Sequence, residues 1–278
     1  MQIGFLTTPF RGETLERVVE FAAREGFLAI EIDSGPGKDH LDPAALTDKR
    51  AQEIKGLLAK SGVAISSLAH YTNVTDADPA KREEASANLI AVIDAAAKLG
   101  VSIVCAMAGM PVPGKTKIHT IEQDVAAVYP PILEYASRKG VKIALENWYA
   151  TNIQNLAHWR RLFDVLPHEN IGLNFDPSHL LWQGIDYIEA ADQFAGRIFH
   201  THAKDTEVKE HVLRLVGNQE RGWWRYVIPG FGRVRWGEFI ATLKAIGYDG
   251  VLSIEHEDKA FGREEGFVAG KKFLSLYV

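Results

Sequence analysis

Residues 98–106, KLGVSIVCA, join the end of a helical pattern to the start of a strand pattern. Gly100 follows a run whose apolar residues recur every three or four positions, and the residues after it are rich in β-branched side chains. Because glycine tolerates the left-handed conformation that ends a helix, the stretch predicts a helix, a tight turn and a buried strand. The same succession occurs four more times, as REGFLAIEI at 24–32, KSGVAISSL at 60–68, RKGVKIALE at 138–146 and AIGYDGVLSIE at 245–255.

The number of strand-like runs predicts the fold. We predict eight strands, at Ile3–Leu6, Leu28–Asp33, Ala64–Ala69, Ser102–Met107, Lys142–Glu146, Ile171–Asp176, Arg197–His202 and Gly250–Glu255. Segments with helical apolar spacing separate them, among them TLERVVEFAAREG at 14–26. Eight βα units of roughly 35 residues match the usual length of a TIM barrel. We therefore expect an α/β protein with one (β/α)8 barrel domain over residues 1–278.

An open, doubly wound sheet is the alternative α/β fold. Such a sheet ordinarily has a glycine-rich, phosphate-binding turn after its first strand. Residues 7–13, TTPFRGE, occupy that place and lack the pattern. No linker or change in composition divides the chain, so the single barrel is the preferred interpretation.

The composition indicates a soluble protein of the cytoplasm. The net charge is −5, so the chain lacks the excess of basic residues with which general nucleic-acid binders neutralise phosphates. No apolar run approaches the roughly 18 residues of a membrane span, and no signal-peptide pattern precedes the first strand. We expect neither nucleic acid nor membrane as a partner. The one cysteine, Cys105, excludes an internal disulfide and is interpreted as a buried thiol.

Acidic residues and histidines lie at the C-terminal ends of the last four predicted strands, where a TIM barrel carries its active site. These strand ends are ALENW at 144–148, LNFDPSH at 173–179, FHTHAKD at 199–205 and LSIEHED at 252–258. Glu146 and Glu255 each end an apolar run, where a charged carboxylate is costly without a cation. A set of three carboxylates and one imidazole favours Mn²⁺, Mg²⁺ or Co²⁺ over a structural zinc site, which needs cysteines.

These four motifs resemble those of the xylose isomerase-like TIM barrels, especially the branch that includes D-tagatose 3-epimerase and inosose dehydratase. The resemblance covers nearly the whole chain and extends to PGFGRVRWGEF at 229–239. It implies that one divalent metal ion is bound by Glu146, Asp176, His202 and Glu255. Mn²⁺ is the first choice, with Mg²⁺, Co²⁺ or Zn²⁺ as alternatives. The epimerases have an arginine after the H-x-H strand, whereas this chain has Val208 there.

The resemblance also implies a reaction, the isomerisation or epimerisation of a small carbohydrate through an enediolate. Glu146 and Glu255 are the predicted acid/base pair, and His179 is the next candidate to move a proton or hold a substrate hydroxyl. Substrate contacts are predicted for five further residues, His70, Trp148, Trp182, Lys204 and Arg225. A homo-oligomer is left open.

Three features near the predicted site have less specific interpretations. The segment from Thr206 to Arg235 is the longest irregular stretch and is a candidate lid. His200 shares a strand face with His202 but lies deeper, which predicts a supporting role. Glu31, at the end of the second strand, can belong either to the site or to the barrel interior.

Three other functions stay open. A lyase that removes water or an aglycone from a 3-keto sugar, keto-glycoside or inosose begins with the same proton abstraction. An apurinic endonuclease for DNA repair shares the barrel but needs several zinc ions and a histidine after the fourth strand, where residues 105–108 are CAMA. A non-catalytic sugar-binding protein would not need two carboxylates and a metal at one mouth.

Overall fold

The computed structural model describes all 278 residues and contains a closed barrel of eight parallel strands. The barrel strands are β1 (Gln2–Leu6), β2 (Ala29–Asp33), β3 (Ala64–Ala69), β4 (Ile103–Ala106), β5 (Lys142–Glu146), β6 (Ile171–Phe175), β7 (Ile198–Ala203) and β10 (Val251–Ile254). Their order around the barrel is β1-β10-β7-β6-β5-β4-β3-β2, and parallel pairing of Gln2 with Val251 joins β1 to β10. The predicted (β/α)8 barrel is confirmed.

Helices surround the barrel. They are α1 (Leu15–Arg24), α2 (Asp48–Ser61), α3 (Pro79–Leu99), α4 (Lys117–Thr120), α5 (Ala126–Arg138), α6 (Leu156–Val165), α7 (Pro177–Leu181), α8 (Tyr187–Gln193), α9 (Glu210–Val216), α10 (Trp236–Ala245) and α11 (Arg263–Leu274). A π-helical turn, Ile121–Val125, precedes α5, and short 3-10 turns occur at Thr8–Phe10, Pro43–Ala45 and Ala195–Arg197. None of the helices combines the length and apolar character needed to cross a membrane.

The five predicted glycine turns have left-handed backbone geometry. The φ angles lie between 68° and 79° for Gly26, Gly62, Gly100, Gly140 and Gly247. Helix starts are also encoded locally: Thr14 Oγ1 accepts a hydrogen bond from the Arg17 backbone N–H at 3.3 Å, which caps α1. The repeated βα units therefore begin and end where their capping residues and glycines lie.

The barrel strands are buried over most of their length, as parallel strands require. Every residue of β2 and β6 is buried. The strand boundaries differ from the predicted ones by a residue or so. Asp176 lies beyond β6 because its Oδ1 accepts from the Ser178 backbone N–H at 2.8 Å and so starts α7, and Glu255 lies directly after β10.

The segment from Thr206 to Arg235 is not irregular, contrary to the prediction. It contains α9 and most of a two-stranded antiparallel ribbon, formed by β8 (Asp205–Val208) and β9 (Trp224–Val227). Glu207 pairs with Arg225 in the centre of the ribbon. Each strand has only four residues and α9 lies between them, so the alternation of side chains is too short to predict the pairing from sequence.

Candidate active site

Four side chains that can bind metal ions meet at the C-terminal end of the barrel. We call this set the quartet: Glu146, Asp176, His202 and Glu255. Their ligand atoms all lie within 4.8 Å of one another. His202 Nδ1 is 3.3 Å from Glu146 Oε1 and 3.1 Å from Glu255 Oε2. The structure brings the four predicted ligands together. That they bind a metal ion stays a prediction.

One buried oxygen of the quartet has no hydrogen bond. Asp176 is fully buried, and its Oδ2 forms no hydrogen bond, although Lys204 Nζ lies 3.2 Å away in ionic contact. A buried carboxylate oxygen without such a partner is costly, and a cation among the four side chains would satisfy it. Three carboxylates and one imidazole therefore fit a divalent metal ion.

Lys204 places a buried ammonium group beside the same carboxylates. Its Nζ is 2.5 Å from Glu255 Oε2 and 3.7 Å from Glu257 Oε2. Burial by itself would lower the pKa of Lys204, but the charges of Glu255 and Asp176 outweigh it and hold this pKa well above its ordinary value. Lys204 thus neutralises part of the negative charge and competes with any bound cation for two quartet oxygens.

The other side of the His202 ring faces a buried carboxylate. His202 Nε2 lies 3.1 Å from Glu31 Oε2, which also accepts a hydrogen bond from Ser253 Oγ at 2.7 Å. Burial by itself would raise the pKa of Glu31, but the charges of His202 and His200 and these hydrogen bonds hold it at about 2. The imidazole is therefore oriented with Nδ1 toward the quartet carboxylates.

A second group of ligand-type side chains, Glu31, Cys105 and His200, lies deeper in the barrel. His200 Nδ1 is 3.0 Å from Asn174 Oδ1 and its Nε2 is 3.1 Å from Ser66 Oγ, so both nitrogens have partners. Burial lowers the pKa of His200 to about 4 and raises the pKa of the Cys105 thiol well above its ordinary value. This group is a hydrogen-bonded part of the barrel core, and Cys105 is buried as predicted.

A cavity of about 290 Å³ borders the quartet. Its lining consists of Glu146, Trp148, Tyr149, His179, Lys204, Tyr226, Glu255 and Glu257. Five of the predicted catalytic and substrate-contact residues are in this set, and Lys204 is its only lysine or arginine. The volume lies near the lower end of the range for small-molecule sites, about 300 to 1,000 Å³.

Arg225, a predicted substrate contact, does not line this cavity. Its guanidinium group pairs with Glu207 and, at 2.6 Å, with Asp258 Oδ1. Successive side chains of a strand point to opposite faces, and Arg225 lies between Trp224 and Tyr226 on β9. Tyr226 lines the cavity, so the arginine on the other face turns away from it.

Trp182 and His70 also lie outside the lining. The Trp182 ring stacks on Trp224, with centroids 4.4 Å apart, and its Nε1 donates to Tyr226 OH at 3.4 Å. His70 Nδ1 lies 2.9 Å from the Ser34 carbonyl oxygen, and its buried Nε2 has no hydrogen-bond partner. Trp182 therefore donates a hydrogen bond to Tyr226, which lines the cavity, and does not line the cavity itself.

Three residues of the lining were not predicted as site residues: Tyr149, Tyr226 and Glu257. Glu257 follows Glu255 by two positions in a motif that was already recognised, and Tyr149 follows Trp148 directly. Burial raises the pKa of Glu257 above its ordinary value; the charges of Glu255 and Glu146 add to this rise, although Lys204 opposes it. The sequence could have indicated Tyr226 as a site residue only if residues 223–227, WWRYV, had been identified as a strand.

His179 joins the quartet to the ribbon. Its Nε2 is 3.4 Å from both Glu146 Oε1 and Asp176 Oδ2, and its Nδ1 is 2.5 Å from Tyr226 OH. Burial by itself would raise the pKa of Glu146, but hydrogen bonds from His179 and His202 hold it well below its ordinary value.

A family comparison agrees with this geometry. Residues 19–277 match the family model described as Xylose isomerase-like TIM barrel. The chain belongs to this family. The resemblance inferred from the strand-end motifs is thereby confirmed, because the match includes all four motifs.

Several relatives of this xylose isomerase-like barrel are similar along most of its length. A Bacillus subtilis (strain 168) protein called Uncharacterized protein YfiH is 28% identical, covering 96% of both chains. Inosose isomerase of Halalkalibacterium halodurans is 26% identical, covering 89% of this chain and 84% of the relative. Inosose dehydratase of Clostridium botulinum is 24% identical, covering 88% of this chain and 82% of the relative.

A solved structure has the same fold. It is described as the IOLI protein with a binding zinc atom, and its TM-score to this xylose isomerase-like barrel is 0.79. The alignment covers 100% of this chain and 99% of that chain, with 22% sequence identity. At this level of sequence identity, the structural similarity establishes that the two chains share the barrel fold.

Proposed function

We propose that this chain is a metal-dependent sugar isomerase or epimerase that acts by removing a proton next to a carbonyl group. The observation that carries the proposal is the pair of carboxylates, Glu146 and Glu255, on the wall of one small cavity and within the same quartet. The relatives named inosose isomerase and inosose dehydratase support a carbohydrate substrate.

The quartet would hold the metal ion. Its oxygen-rich donor set favours Mn²⁺, with Mg²⁺ and Co²⁺ as alternatives, and the zinc-binding IOLI structure makes Zn²⁺ a further ion to test. When bound, the ion would polarise the carbonyl and the adjacent hydroxyl of the substrate.

The two glutamates would move the proton. They come from different parts of the barrel wall, because β6 and β7 lie between β5 and β10. One carboxylate takes the proton from the carbon next to the carbonyl, and the electron pair of that C–H bond passes into the enediolate. Return of a proton to the opposite face of the same carbon gives an epimer. Return to the neighbouring carbon gives the isomeric sugar.

The cavity favours a small, uncharged carbohydrate. Its only lysine, Lys204, also lies 3.7 Å from Glu257 Oε2, so it keeps a carboxylate partner where a metal ion takes the quartet oxygens, and no free cation is available for a phosphate or carboxylate group of a substrate. Glu257 adds further negative charge. Trp148 lines the cavity, and its ring would pack against a sugar. Nucleic acids and membranes are not part of the proposed function.

A dehydratase is the second candidate. The relatives named inosose dehydratase favour it, and its first step would be the same proton removal. Loss of a hydroxyl group from the next carbon as water would then complete an elimination. The leaving hydroxyl would take up the proton that the glutamate removed, and His179, 3.4 Å from Glu146, is placed to donate a hydrogen bond to it.

Metal analysis tests the site independently of the reaction. Protein stripped with a chelator and reloaded should contain about one divalent ion per chain, and His202→Ala should lose it. Arg225→Ala changes a residue outside the cavity and is the control. Two or three zinc ions bound at this mouth would contradict a single-metal site.

Proton exchange from D₂O tests the reaction. The Mn²⁺-loaded protein is incubated with free ketoses, inososes and 3-keto glycosides, and the products are separated and analysed by NMR. Deuterium beside the carbonyl in a product of unchanged composition supports the isomerase or epimerase, and loss of water identifies the dehydratase. Absence of both exchange and conversion across the panel would refute the proposal.

A further inference from the structure

The ribbon contributes one hydroxyl group to the cavity, that of Tyr226 on β9. Tyr226 OH lies 2.5 Å from His179 Nδ1, and the two rings meet edge to face at a centroid distance of 5.0 Å. The other hydrogen-bond partner of this hydroxyl is Trp182 Nε1, at 3.4 Å. His179 and Trp182 are three residues apart at α7, a spacing that places both on one side of the helix.

The chemistry of these two partners decides the direction of the hydrogen bonds. Trp182 Nε1 can only donate, so it cannot take the tyrosine proton. Burial raises the pKa of Tyr226 well above its ordinary value, and the hydroxyl therefore keeps its proton at neutral pH. His179 Nδ1 is the one acceptor in the structure for the Tyr226 hydroxyl, so this nitrogen must have a free lone pair.

We propose that Tyr226 is a positioning residue that holds His179 in the tautomer with hydrogen on Nε2. That N–H then faces the quartet, 3.4 Å from Glu146 Oε1 and from Asp176 Oδ2, which has no hydrogen bond. His179 would therefore act as a hydrogen-bond donor at the cavity, and not as a base. This role in turnover rests on the proposed function, whereas the tautomer does not.

The arrangement also couples the ribbon to the site. The Trp224 ring packs 4.9 Å from Tyr226 and stacks on Trp182, and Lys204 Nζ lies 4.6 Å from the centre of the Tyr226 ring. Any movement of β9 away from α7 separates the hydroxyl from His179. The histidine then loses the partner that selects its tautomer.

Nitrogen NMR can read the tautomer directly. We would record ¹⁵N–¹H spectra of histidine-labelled, Mg²⁺-loaded protein, with the His179 signals assigned by their absence from His179→Gln. Wild type should show hydrogen on Nε2 alone. Tyr226→Phe, which removes only the hydroxyl group, should show a mixture of the two tautomers. Tyr149→Phe is the matched control, because Tyr149 lines the same cavity but its hydroxyl does not bond His179.

Two spectral outcomes would overturn the proposal. One is a His179 ring with hydrogen on Nδ1, alone or together with Nε2, in the wild type. The other is an identical His179 pattern in wild type and Tyr226→Phe. Thermal unfolding of both proteins verifies that the variant stays folded.

Kinetics add a second readout if a substrate is found. Tyr226→Phe should lower kcat on the order of tenfold, the effect of losing one neutral hydrogen bond, with little change in KM or metal content. An unchanged kcat would exclude the role in turnover. If no sugar is converted by the wild type, the proposed function fails, while the NMR spectra still decide whether Tyr226 selects the tautomer.

Discussion

Glu31 Oε2 lies 3.1 Å from His202 Nε2, on the side of the imidazole opposite the quartet oxygens. Both side chains are fully buried. Asn174 Nδ2 is also 3.0 Å from the same nitrogen, but it has a second acceptor in Tyr71 OH at 3.1 Å. A buried carboxylate beside Nε2 favours hydrogen on that nitrogen, which leaves Nδ1 free to bind a metal ion.

The first prediction concerns this contact. Glu31→Gln keeps the size of the side chain but removes the charge that orients His202, so metal affinity should fall about 10- to 100-fold. Competition with a chelator of known affinity measures the change. Ser253→Ala is the control, because the Ser253 hydroxyl bonds Glu31 and not the His202 ring. Equal affinity in wild type and Glu31→Gln would show that the carboxylate serves only the barrel core.

The second prediction concerns Lys204, whose ammonium contacts the same oxygens as a bound metal ion would. In metal-free protein, Lys204→Met leaves buried carboxylates without their cation and should lower the free energy of unfolding by about 3–5 kcal/mol. Added Mn²⁺ should stabilise this variant more than it stabilises wild type, because the competing charge is gone. Thermal unfolding with and without Mn²⁺ measures both effects.

Lys49→Met serves as the control for this experiment, since Lys49 is exposed on α2 and its one salt bridge is with Glu53. Its unfolding should be nearly unchanged with or without metal. If Mn²⁺ stabilised wild type and Lys204→Met equally, the ammonium would not compete for the metal-binding oxygens, and the ion would have to bind away from Asp176 and Glu255.

The barrel could be predicted from the sequence because its signals are local. Each glycine turn, such as the one at Gly100, ends one helix and leads directly into a buried strand, and the repetition of this unit determines the architecture. The quartet could be predicted for the same reason. Its members lie at or next to strand ends, and the closed barrel brings all strand ends to one mouth.

The remaining site residues depend on contacts that no local pattern encodes. Tyr226 reaches the cavity only because β8 and β9 pair across α9, and the same pairing turns Arg225 outward. Glu31 was placed at a strand end, but the sequence does not reveal that its partner is His202, 171 positions away. Long-range pairings of this kind follow from the closed barrel and the ribbon, not from periodicity.

The third prediction is that the substrate carries no phosphate. Lys204 lies 3.7 Å from Glu257 Oε2 and stays paired there when a metal ion takes the quartet oxygens, so a ketose 6-phosphate would find no free cation. Its kcat/KM should be at least about tenfold below that of the free ketose. Parallel assays of both sugars measure the ratio. Glu257→Gln should bring the two kcat/KM values closer together, because it removes one negative charge from the cavity. A phosphorylated sugar that is converted as fast as the free one would disprove the neutral-substrate assignment.

The fourth prediction is that the ribbon and α9 act as a lid. The contacts of Tyr226 and Trp224 with α7 should tighten when substrate fills the cavity, so amide hydrogen exchange in 205–227 should slow. Mass spectrometry of exchanged peptides measures this, with α2 as an internal reference because it lies outside the cavity lining. Unchanged exchange in the ribbon at saturating substrate would remove the lid assignment.

The last prediction concerns Glu146 and Glu255, which are proposed both to bind the metal ion and to move the proton. Glutamine at either position keeps one coordinating oxygen but cannot accept a proton, so turnover should fall by about 10²- to 10⁴-fold. Metal content, measured by elemental analysis on the same samples, should fall much less. Asp176→Asn is the matched comparison, because Asp176 belongs to the quartet but not to the cavity lining.

The two glutamine variants should also differ from each other. If each carboxylate serves one face of the substrate, one variant will still exchange deuterium into one epimer while failing to form the other. Near-normal turnover in both variants with the metal bound would move the proton transfer to another group. If Glu146→Gln and Glu255→Gln lose activity only in proportion to their lost metal, as Asp176→Asn should, the glutamates act as ligands alone and the proposed proton pair is wrong.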